Sequence, residues 1–98
     1  AVLRPSEALA LHRDEALAII AKYPVENPRI FGSVARGEDT EGSDLDILVK
    51  RAGEFSYYDL FRLEDGLSAA FGIKVDVRTE GEFSERLLRR LERDLRPL

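Results

Sequence analysis

Cysteine is absent from this chain. Neither a disulfide framework nor a thiolate-held metal is available to it, and a reducing cytoplasm is the expected compartment. Histidine occurs once, at His12, which excludes a zinc site built on clustered imidazoles. No apolar run approaches the ~20 residues that cross a bilayer, so no membrane partner is expected, and no secretory leader pattern stands at the start. Positive charge is also in deficit: 15 Lys and Arg face 19 Asp and Glu, a net charge of −4. A general nucleic-acid binder shows the opposite balance, so direct nucleic-acid contact is not expected. What remains is a chain of 98 residues, read as a single domain, 1–98, with a modest core.

Residues 6–23 (SEALALHRDEALAIIAKY) predict a helix capped by Ser6, with Glu7 in its first turn and Pro24 as its stop. Leu9, Ala16, Ile20 and Tyr23 form its apolar stripe, widened by Leu17. His12 lies along that stripe and reads as a packed histidine rather than a catalytic one. Residues 29–31 (RIF) form a short strand after Pro28. Residues 33–36 make a single helical turn closed by Gly37, and 38–43 (EDTEGS) are loop by composition. Residues 44–50 (DLDILVK) are a strand, with Leu45, Ile47 and Val49 on one face and Asp44, Asp46 and Leu48 on the other.

A second helix spans 56–72, capped by Ser56 and ended by Gly72. Residues 73–78 (IKVDVR) form a third strand, with Val75 and Val77 inward and Asp76 outward. A third helix over 84–95 aligns Leu87, Leu88, Leu91 and Leu95 on one side, a stripe expected to cover the sheet, with a docking face as the alternative. The fold class is therefore α/β: a small mixed β-sheet with helices packed against it. A helical crossover joins strands 44–50 and 73–78, which permits them to be parallel neighbours.

Two features carry chemistry. Asp44 and Asp46 lie two apart on one strand face, ~6.6 Å along the backbone. Asp76 alternates out of the core in the same sense, so neighbouring strands would bring three carboxylates together. A pair 5 Å apart repels by roughly 3 kcal/mol at an effective dielectric near 20. Such a patch calls for a counterion, and oxygen-only ligands select a hard cation such as Mg2+, which keeps water and phosphate oxygens as its other ligands. The second feature is Gly32-Ser33. Gly32 permits close approach of the backbone to a ligand, and Ser33 opens a turn whose free N–H groups attract phosphate. Arg36, one turn on, reaches either phosphate or an aspartate. Singly, these are a capped turn, an edge-protecting pair and a surface ion-pair member. Jointly, they match what Mg2+ with a nucleoside triphosphate requires.

Gly32-Ser33, ten residues, then Asp44-Leu45-Asp46 resembles the signature of the DNA polymerase β-type nucleotidyltransferase superfamily. The wider stretch FGSVARGEDTEGSDLDILV, with Arg36, Gly37 and Glu38, resembles its minimal prokaryotic branch, the MNT proteins. The resemblance implies a polymerase β-like nucleotidyltransferase fold and ATP as substrate. It implies two Mg2+ ions held by Asp44 and Asp46, with Asp76 as the third carboxylate and the base for the incoming hydroxyl. It places Gly32 and Ser33 on the triphosphate, with Arg36 and Ser43 in the nucleotide site. It also implies a role as antitoxin to a HEPN-type ribonuclease toxin, in a hetero-oligomer, by AMP transfer to a toxin tyrosine. A chain this small leaves no room for a separate acceptor-binding domain, so another molecule would present the acceptor. Two alternatives stand: a non-catalytic module that neutralises its partner by covering it, and nucleotidyl transfer to a small molecule or an RNA end.

Overall fold

The computed structural model describes residues 3–98. Helix α1 (Pro5–Ile20) is followed by strand β1 (Val25–Phe31) and the one-turn helix α2 (Gly32–Ala35). Strand β2 (Leu45–Arg51), helix α3 (Tyr57–Phe71) and strand β3 (Val75–Thr79) form the crossover unit. A 3-10 turn (Glu80–Glu82), helix α4 (Glu85–Glu92) and the short strand β4 (Arg96–Pro97) complete the chain. The sheet order is β3-β2-β1-β4, with β2 and β3 parallel and the other pairs antiparallel. The mixed sheet expected from the strand order is thus present, with β4 added at its edge.

Helices α1 and α3 cover one face of the sheet. Leu63, Leu67 and Phe71 of α3, and Ala8, Leu9, Ala16 and Ile20 of α1, pack with Leu45, Ile47, Val49, Val75 and Val77 of the strands. The α3 boundaries follow its capping chemistry. The Ser56 hydroxyl accepts the Asp59 N–H at 3.1 Å, and Gly72 ends the helix in the left-handed region at φ 71°.

Helix α1 starts differently from expectation. Its cap is Arg4, with Pro5 in the first helical position, where a missing N–H costs nothing. Glu7 reaches back to accept the Arg4 N–H at 2.9 Å. Ser6 is not the cap; its N–H donates to the Asp39 carboxylate at 2.9 Å. The helix also stops at Ile20, and Leu17 is exposed rather than part of the buried stripe. His12 is half-buried, its ring meeting Phe71 edge-on at 6.5 Å, where the helix is locally bent (φ −121°, ψ 18°).

The larger departure concerns α4. None of its residues is buried, and Leu87 is 43% exposed. Leu88, Leu91 and Leu95 are half-buried, and none of the stripe leucines joins the core under α1 and α3. Its Ser84 cap is formed as expected, accepting the Leu87 N–H at 3.2 Å.

Candidate active site

The parallel pairing of β2 and β3 sets the site. Its register puts Leu45 beside Val75, Asp46 beside Asp76, and Ile47 beside Val77. Burying the valines and isoleucine against α1 and α3 forces the intervening aspartates onto the opposite face, because side chains alternate along a strand. Asp46 is also the register partner of Phe31, the last residue of β1. The chain turns at Gly32 directly after it.

That turn needs glycine twice over. Gly32 has φ +75°, a conformation side chains disfavour, and a Cβ there would lie 2.4 Å from Asp46 Oδ2. The Gly-Ser bend is therefore seated on the Asp46 carboxylate. Asp46 is half-buried, and its pKa is raised by that burial and then by the charges of Asp76 and Asp44, against the smaller opposing influence of Arg78 and Arg36.

The remaining expected residues are placed less centrally. Asp44, just before β2, has Oδ2 at 3.7 Å from Lys74 Nζ, a contact between exposed groups. Among the described residues, no three acidic or histidine side chains stand close enough to close around one ion. Ser33 is half-buried at the start of α2, and its carbonyl accepts the Glu38 N–H at 2.8 Å. The Arg36 guanidinium pairs with Glu38 at 3.2 Å, although its charge reaches Asp46. The Ser43 hydroxyl accepts the Thr40 N–H at 2.9 Å and so closes a local turn.

Beside Asp46 lies a cavity of about 350 Å³, lined also by Phe31, Arg78, Glu82 and Phe83. The 3-10 turn builds its far wall. Glu82 accepts the Thr79 N–H at 2.7 Å and the Thr79 hydroxyl at 3.2 Å, and it lies 3.5 Å from Arg78. Arg29 of β1 pairs with Glu80 across the same face. These contacts bring the Phe83 ring back over Phe31, edge to face at 6.5 Å. Phe83 lies between two helical segments, with no periodic pattern to announce it. Phe31 was visible only as the residue in front of the Gly-Ser pair.

Residues 14–98 match the model of the nucleotidyltransferase domain family. A Methanocaldococcus jannaschii protein provisionally named a protein adenylyltransferase is 41% identical over 91 residues, 92% of this chain and 93% of its own length. A solved structure provisionally identified as a minimal nucleotidyltransferase superposes with a TM-score of 0.84 at 36% identity, covering 95% of each chain. A tri-AMPylated Shewanella oneidensis HEPN toxin in complex with its MNT antitoxin provides a more distant likeness, in fold alone. Its TM-score is 0.68 at 18% identity, over 90% of this chain and 69% of the other. A match across most of its length, and over both halves of the aspartate-bearing sheet, shows that this chain belongs to the nucleotidyltransferase domain family.

Proposed function

We propose that this protein transfers AMP from Mg-ATP to a tyrosine hydroxyl of a HEPN-type toxin, and so acts as an antitoxin in a hetero-oligomer with it. The observation that carries the reading is the seat of the Gly32 bend on Asp46, with Asp76 in register on the adjoining strand. A phosphate cradle and two carboxylates then flank one point. The name of the relative supports a protein acceptor, and that of the structural neighbour a HEPN-type partner.

The oxygen-only donor set fits Mg2+. The Asp46 pKa, raised by burial and then by the charges of Asp76 and Asp44, is in keeping with a place for a cation. Asp44, Asp46 and Asp76 would hold two ions, with Asp44 released from its exposed contact to Lys74. Bound there, Mg2+ supplies neutralisation of phosphate charge.

The chain's own groups do the rest. Gly32 and Ser33 hold the terminal phosphates through backbone N–H donors, which fixes the α-phosphorus beside the aspartates. Asp76 accepts the proton of the acceptor hydroxyl. The acceptor oxygen forms its bond to the α-phosphorus as the bond to pyrophosphate breaks, and pyrophosphate departs with those electrons. Arg36 and Ser43 sit on the loop bordering the nucleotide and tune its position.

The direct test is incubation with Mg2+, labelled ATP and the product of the neighbouring gene, read by mass spectrometry. An added AMP on a tyrosine is expected. The rival reading, neutralisation by covering alone, draws on α4, a helix with no fully buried side chain. Under it, Asp44→Ala with Asp46→Ala would still neutralise the toxin; under adenylyl transfer, neutralisation would be lost.

A further inference from the structure

We propose that the slot beside Asp46, lined by Phe31 and Phe83, receives the aromatic ring of the acceptor tyrosine and delivers its hydroxyl to the aspartates. This rests on the adenylyl-transfer reading above and adds to it where the acceptor binds. The slot has three properties that such a site needs. Phe31 and Phe83 meet edge to face, 83° apart in plane, and together line one side of the cavity, an aromatic surface that a third ring can extend. One wall is Asp46 itself, so a ring seated there brings its substituent to the carboxylate cluster without a spacer. Its rim carries Arg78 and Glu82, which leaves a polar mouth through which a side chain from another protein can enter.

The alternative tenant is the nucleobase, also a flat ring. The phosphates argue against it. With the terminal phosphates on the Gly32 bend, the α-phosphorus lies at the aspartates, and the base is held away from it by the whole ribose. The attacking hydroxyl, by contrast, must touch the α-phosphorus, opposite the departing pyrophosphate. A pocket that has Asp46 as part of its own wall matches the group that must come closest.

The surroundings favour a protein-borne ring. Ser84, the cap of α4, directly follows Phe83. Arg86, Arg89 and Arg90 stand exposed along α4 and Arg93 just after it, and among the described residues none of them makes an ion pair. They sit on a chain whose net charge is −4. A partner resting on this basic, leucine-bearing helix would be positioned at the mouth of the slot.

The test uses the whole chain with Mg2+ and α,β-methylene-ATP, whose α–β link cannot be cleaved, and, as probe, N-acetyltyrosinamide, followed by NMR of the phenylalanine ring signals and by calorimetry. The probe is expected to shift the Phe31 and Phe83 signals. Phe83→Ala is expected to weaken its binding by roughly tenfold, while leaving affinity for the nucleotide analogue within about twofold. Phe31→Leu, which keeps most of the volume and removes the ring, should weaken the probe in the same direction and guards against a folding defect in the first variant. Weaker analogue binding in these variants with the probe unaffected would assign the slot to the base and overturn the proposal. Unchanged binding of both would overturn it as well. Wild-type protein that binds the analogue but, given ATP, transfers AMP only to a non-tyrosyl acceptor would instead overturn the adenylyl-tyrosine reading on which it rests.

Discussion

The two faces of this sheet are made from alternate residues of the same strands, β2 and β3, and meet opposite demands. On one, Leu45, Ile47, Val49, Val75 and Val77 lie under α1 and α3, at most 3% exposed. On the other, Asp46 and Asp76 sit side by side, half-buried. The first face is satisfied by its contacts. The second carries repulsion that Arg78 and Arg36 relieve only in part, and its fully buried Leu48 lies between Arg29 and Arg78 in the register. Stability is thus invested on one side and binding capacity on the other, with a one-residue alternation separating them.

This contrast predicts that substitutions on the two faces separate activity from stability. The largest effect is expected for Asp44→Ala with Asp46→Ala. AMP transfer should fall by roughly 1,000-fold or more, while urea unfolding without metal is unchanged or shifted to higher stability. A clear loss of metal-free stability would give the aspartates a structural role and dissolve the contrast.

Leu63→Ala, on the covered side, should cost about 2–5 kcal/mol in the same unfolding experiment. That is a large share of the ~5–15 kcal/mol typical of a domain. Its transfer rate per folded molecule should hold.

Gly32→Ala should cross the divide. The left-handed backbone costs about 1–2 kcal/mol with a side chain present, and the added methyl must displace the Asp46 carboxylate. Both the unfolding midpoint and the transfer rate should drop, which sharpens the comparison by marking the one residue that serves both sides.

The smallest effect is electrostatic. The Asp46 pKa is raised in the folded state, so its ionised form disfavours folding. The penalty is full above the folded pKa and vanishes once the pH falls below the unfolded value, near 3.8. Asp46→Asn should therefore be slightly more stable than wild type at neutral pH without metal, with the gap closing on acidification. Asp39 works in the opposite sense. Burial would raise its pKa, but hydrogen bonds from Ser6 outweigh that and lower it. Its contribution is present above the unfolded value and lost as the pH falls through the folded one, so Asp39→Asn should narrow the acid limb of the stability profile.

The site was more legible in the sequence than several of the boundaries around it. Strand alternation is a strict period of two, so Val75 and Val77 fixed the direction of Asp76 as soon as they were taken as core. Ser56 and Gly72 delimited α3 through capping chemistry that is local to the chain. The start of β1 was hidden because Asn27 and Pro28 resemble a turn. The strand accommodates them with Asn27 at φ 53° and a register shift between Glu26 and Arg29. Strand β4 is two residues long and contains Pro97, so only its pairing with Arg29 and Ile30 reveals it. The leucines of α4 have the spacing of a buried stripe, yet spacing reports only that a helix is two-sided, not whether the same chain supplies the second surface. Phe83 and the slot depend on a tertiary contact with Phe31 that no local pattern encodes.

Asp39 has a consequence for how the chain tolerates change. Its carboxylate, only 8% exposed, is bonded to the first turn of α1 from the middle of the loop that links the Gly-Ser bend to the aspartate strand. That loop is pinned at its centre to a segment 33 positions earlier in the chain. An insertion ahead of Asp39 would push on the Gly-Ser bend and one behind it on the carboxylate side, so the two are not interchangeable. Trimming the chain past Ser6 would untie both at once, leaving every catalytic candidate in place but the spacing between them slack.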